Sequence, residues 1–84
     1  NMFFVQVASL KNEEDLKKEW KRLEKRFPNT LKNLEYLSKR VVLSNSDIFY
    51  RLMIGSFENK ISAKEFCFKI NLNKICIIKK INNE

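Results

Sequence analysis

The side chains that enzymes use for proton transfer and metal binding are scarce in this chain. There is no histidine, which removes together the commonest general base at neutral pH and the commonest metal ligand. Ten carboxylates lie scattered among 17 Lys and Arg, leaving little for acid–base catalysis. The two cysteines, Cys67 and Cys76, match neither the C-x-x-C spacing of redox chemistry nor a zinc set, which needs four ligands. No enzyme, metal or cofactor is expected, and recognition is what remains. For that task the chain offers an amide, an aromatic plate, a guanidinium and apolar flats in Gln6, Phe49, Arg51, Met53, Ile77 and Lys79. This mixture suits a sugar chain, whose rings present C–H faces to aromatics and hydroxyls to amides, or a single-stranded nucleic acid, whose bases stack. A net charge of +7 points to an anionic partner. Part of the lysine excess is codon usage, because Lys, Asn and Ile are frequent while Gly and Pro occur once each, the signature of an AT-rich genome.

Those side chains act together only if the fold gathers them. Eighty-four residues make one domain with a single core, and 44% hydrophobic content is enough to offset the entropy of ordering it. Residues 2–10, MFFVQVASL, read as a strand. Asn12 is placed to cap a helix by accepting from first-turn amides, with Glu13, Glu14 and Asp15 at its positive end. Leu16, Trp20, Leu23 and Phe27 form one helical stripe, so Trp20 is assigned to the core, and Pro28 stops the helix. Residues 29–34 fit either a helical turn or an irregular lead-in. EYLSKRVVL, 35–43, reads as a second strand, 44–47 as a turn and 48–57 as a third strand with a bulge near Gly55. Ser62 to Glu65 is a capping box opening a second helix with Ala63, Phe66, Cys67 and Ile70 on its buried stripe, and Ile75–Ile81 is the last strand.

The order β-α-β-β-α-β predicts an α+β fold, a four-stranded, mainly antiparallel sheet with both helices on one face, the ferredoxin-like sandwich. The other face is open. Strict alternation sends Val5 and Val7 toward the helices and Phe4, Gln6 and Ala8 outward; it likewise exposes Phe49, Arg51, Met53, Ile77 and Lys79 and buries Tyr50, Leu52, Ile54, Cys76 and Ile78. No apolar run approaches the ~20 residues that span a bilayer. With a strand starting at residue 2, the chain is expected to be one domain, 1–84, cut from a longer, exported protein.

Two stretches carry a resemblance. Phe4-Val5-Gln6-Val7-Ala8-Ser9-Leu10 with its Asn-Glu-Glu helix start, and Phe49-Tyr50-Arg51-Leu52-Met53-Ile54-Gly55-Ser56-Phe57 before a helix containing Ala63, resemble the half-motifs of the SPOR (sporulation-related repeat) domain. Ala8 stands where the family pattern has glycine, Leu10 where it has phenylalanine, and Ser56 where it has proline. The resemblance implies non-catalytic binding of septal peptidoglycan, in particular glycan strands denuded of stem peptides, by a periplasmic domain whose parent is anchored in the inner membrane and targeted to the division site. Each stripped muramic acid keeps a lactyl carboxylate, so the denuded strand is a polyanion with open sugar faces. The resemblance assigns hydrogen bonding to Gln6 and Ser9, carboxylate pairing to Arg51 and an apolar platform to Phe49 and Ile77. An oxidising periplasm implies that Cys67 and Cys76 pair; the alternative is two buried free thiols. A monomer without nucleic acid is the expected state. The rivals are an RNA-binding module of the RRM type, which shares the element order but wants an aromatic RNP1 motif absent from Ile48–Phe57, and a protein-interaction module joined through Phe49, Met53 and Ile77.

Overall fold

The computed structural model describes residues 2–70 and 77–81. The elements are β1 (Met2–Leu10), α1 (Glu13–Arg26), β2 (Glu35–Val42), β3 (Ile48–Phe57), α2 (Lys60–Ile70) and β4 (Ile77–Ile81). Ile75 and Cys76, expected to open the last strand, lie outside the described residues. The sheet has the order β2-β3-β1-β4 with every neighbouring pair antiparallel, the α+β ferredoxin-like arrangement expected from the element order.

Both helices cover one face because each has one buried apolar stripe to bring to the sheet. Leu16 and Leu23 of α1 and Ala63, Phe66, Cys67 and Ile70 of α2 share a buried cluster with Val5, Leu52 and Ile54. Trp20 packs on this cluster with its ring against Tyr36, centroids 5.1 Å apart, as its place in the stripe requires. Helix α1 ends before Pro28, and Leu31 from the following turns is buried in the same core. Asn33 takes a left-handed backbone there, φ 69°, which asparagine tolerates.

Neither helix is capped as the sequence suggests. Asn12 sits at the start of α1, but its amide donates to the Asp15 carboxylate at 3.3 Å and caps no backbone amide. The second helix begins two residues earlier than the Ser62–Glu65 box, because the Asn59 side chain accepts from the Ser62 N–H at 2.8 Å and does the capping first. In the β2–β3 turn the Leu43 N–H donates to the Asp47 carbonyl at 2.8 Å, and Asn45 and Asp47 bond each other, which fixes the register of the hairpin above it.

Candidate functional site on the open sheet face

The position of every open-face side chain follows from register, because residues opposed in an antiparallel pair project to the same side. Val5 opposes Ile54, both fully buried toward the helices, so Gln6 and Met53, the next pair, project to the open face. The register then slips by one residue: Ala8, not Val7, opposes Leu52. Val7 and Ala8 are consecutive, yet both pack against the helix-side core, as the two residues of a β-bulge do. Ala8 therefore points inward, against the expectation from strict alternation. Beyond the bulge the parity is reset, and Ser9 opposes Arg51 on the open face while Leu10 opposes Tyr50 inside. Without the extra residue Gln6 and Ser9, three apart, would lie on opposite faces.

The open face can be followed row by row. One row crosses all four strands as Leu37, Met53, Gln6 and Ile77. The next holds Lys39, Arg51 and Ser9, and beyond it Val41 opposes Phe49. On the other side of the first row Phe4 opposes Lys79. Gln6, Ser9, Phe49, Arg51 and Ile77 are thus gathered on one face, and Gln6 and Arg51 are diagonal neighbours, about 7–8 Å apart in a regular ladder. Ile77 and Leu37 are 43% and 45% exposed at the two ends of their row. Met53 is a correction: it lies on the expected face but is only 1% exposed, between Leu37 and Gln6 on the neighbouring strands. It gives the face an apolar floor and cannot serve as the middle of an exposed contact patch.

A second irregularity shapes the rim. Between the pairs Phe3–Phe57 and Val5–Ile54, β3 spends one residue more than β1, and this is where Gly55 sits. A Cβ on Gly55 would come within 2.7 Å of Phe4 Cδ2 and 3.0 Å of the Phe3 carbonyl oxygen. Glycine is required here because the Phe4 ring lies against the bare backbone, leaving an aromatic plate beside Lys79.

Electrostatically the face is positive and unsatisfied. Lys39 and Arg51 directly oppose each other across β2 and β3. Like charges so placed destabilise a sheet, and an anion lying between them removes that cost. Among the described residues neither has an ion-pair partner, the pair formed being Arg22 with Glu19 on α1 at 2.7 Å. That pairing holds the Arg22 pKa above its ordinary value, through its hydrogen bonds to Glu19 and the attraction of the same charge. Phe4 lies on the face as alternation placed it, and Leu37 and Lys39 belong there too although sequence reasoning passed over them. The signal for the last two was the alternation of β2 itself, whose even positions Tyr36 and Ser38 turn toward the helices, Ser38 donating to Glu13 at 3.2 Å.

Cys67 is buried, 2% exposed, on the α2 stripe and is disulfide-bonded. The sequence holds one other cysteine, Cys76, which lies outside the described residues. No described helix is long and apolar enough to cross a membrane.

A ferredoxin-like sandwich that leaves one sheet face bare, basic and partly aromatic offers a surface suited to binding an extended ligand. The particular family follows from comparison: the SPOR domain family model matches residues 2–78, and the chain belongs to that family. SPOR domains are in general non-catalytic, bind septal peptidoglycan and occur in cell-envelope proteins of cell division. The chain is also similar to an uncharacterized protein of Rickettsia prowazekii (strain Madrid E), at 32% identity over 76 residues, covering 89% of this chain and 34% of that protein. It spans about a third of the length of that curated relative. No solved structure matches it significantly.

Proposed function

We propose that the open sheet face binds glycan strands from which the stem peptides have been removed, and that this binding takes the parent protein to the division site. The observation that carries the reading is the row Lys39, Arg51 and Ser9 lying beside Gln6. An opposed cationic pair next to a hydroxyl and an amide is what one lactyl carboxylate and its neighbouring N-acetyl and hydroxyl groups require. Arg51 takes the carboxylate, Lys39 adds a second charge, and Ser9 and Gln6 hydrogen-bond the sugar. Phe49 at one end and Phe4 with Ile77 at the other lie against the apolar C–H faces of successive rings. Stem peptides on the muramic acids would consume the carboxylates in amide bonds and obstruct a flat face, which accounts for selectivity toward denuded strands. The domain acts as a monomer in the periplasm, as one part of a longer protein anchored in the inner membrane, with Cys76 as the disulfide partner of Cys67.

Retention on purified sacculi tests this. Wild type is expected to bind amidase-treated sacculi more tightly than untreated ones, and Gln6→Ala and Arg51→Ala each to reduce retention, Arg51→Ala by about tenfold or more because it removes a charge-assisted contact. Equal retention of the three proteins would remove these residues from the site.

A further inference from the structure

The two helices differ on their outer faces. In α1 the solvent side is charged throughout, with Glu14, Lys17, Lys18, Lys21, Arg22 and Lys25 exposed. In α2, by contrast, Ile61 is 70% exposed and Phe68 66%, the two most exposed large hydrophobic residues of the described chain. At about 100° per residue, positions 61 and 68 fall within roughly 20° of each other and nearly opposite the mean direction of Ala63, Phe66, Cys67 and Ile70. Helix α2 is therefore apolar on two opposed sides, one in the core and one facing away from the domain.

Lys60, Lys64 and Lys69 flank the outer stripe, against one carboxylate, Glu65, and all four are exposed. Among the described residues none of the three lysines is ion-paired. This charge excludes a second copy as occupant: two such faces would bring like-charged lysines together, on domains that each carry a net charge of +7. Two side chains are also too little apolar surface for the core of a stable protein interface. They suffice, with a ring of lysines at the level of anionic headgroups, for reversible seating of a helix in a membrane interface. We propose that the outer face of α2 docks on an anionic lipid bilayer, Ile61 and Phe68 entering the headgroup–acyl boundary and Lys60, Lys64 and Lys69 spreading over the headgroups. This surface lies on the helix side of the domain, away from the glycan-binding sheet face, so the two contacts do not compete.

Co-sedimentation of the 84-residue chain with phosphatidylglycerol/phosphatidylcholine vesicles, and with phosphatidylcholine vesicles alone, tests the proposal. Wild type is expected to bind the anionic vesicles and to leave the neutral ones. Ile61→Ser with Phe68→Ser is expected to weaken that binding by roughly tenfold per side chain, about a hundredfold together. Both residues are mostly exposed, so the thermal midpoint of the variant should stay at the wild-type value. Undiminished binding by the double variant overturns the proposal, since net charge alone would then account for it. Equal binding to neutral vesicles overturns the anionic-lipid assignment, and no binding to either vesicle overturns the proposal as a whole.

Discussion

Replacing Ala8 with lysine separates the bulged strand from a regular one. In the bulged register Ala8 opposes Leu52, which is fully buried, and packs against the helix-side core. A lysine there must push aside close-packed neighbours and carry its ammonium out past the helices. Overpacking together with partial desolvation of the charge puts the cost at about 2–4 kcal/mol. The lower figure alone shifts the folded-to-unfolded ratio by a factor of about 30 and lowers the melting temperature of a domain this size by roughly 8–16 °C. Ser9 is exposed on the opposite face, and Ser9→Lys should stay within about 0.5 kcal/mol. Urea denaturation gives both values, and an unchanged m-value would show that the unfolded state is not responsible. Strict alternation demands the reverse ranking. If Ala8→Lys is silent and Ser9→Lys costs 2 kcal/mol, the bulge and the gathering of Gln6 with Ser9 are both wrong.

Gly55→Ala is expected to destabilise by about 1–3 kcal/mol, because its Cβ would meet the Phe4 ring at 2.7 Å. In a Phe4→Ala background the cost should fall by more than half, and equal costs in both backgrounds would assign the clash to the Phe3 carbonyl instead. Cys67→Ala should lower stability by roughly 2–3 kcal/mol, the value for a loop of about ten residues closed by the proposed bond to Cys76, while excess reductant should lower the wild type by a similar amount. Wild-type melting curves that coincide with and without reductant would show that the bond contributes nothing.

Most of the architecture is written in short patterns. The stripe Leu16, Trp20, Leu23 and Phe27 defines α1, Pro28 ends it, and the alternation from Ile48 to Phe57 gives β3 with its bounds unchanged. The open face was legible for the same reason, since one side of β3 is too apolar to face water. What could not be read was whatever depends on register. Val7-Ala8 fits a continuous strand as well as a bulge, because both residues are small enough for either face, and only pairing with Leu52 decides between them. The opposition of Lys39 to Arg51, twelve positions apart, is set by the turn at Leu43–Asp47, and no local pattern aligns them. Alternation also gives direction without depth: it sends Met53 outward correctly, but its burial comes from neighbours on two other strands. The caps failed through competition, as Asn59 reached the α2 amides before Ser62 could.

Glycan is expected to contact the bare sheet face and not the helix layer. Backbone amide shifts recorded while denuded glycan oligomers are titrated into the labelled domain test it most directly. Perturbations are expected at Gln6, Ser9, Leu37, Lys39, Phe49, Arg51 and Ile77, saturating together, with the solvent-facing residues of α1 and α2 unmoved. Shifts concentrated on α1 and α2, with Gln6 and Arg51 unchanged at saturation, would contradict it.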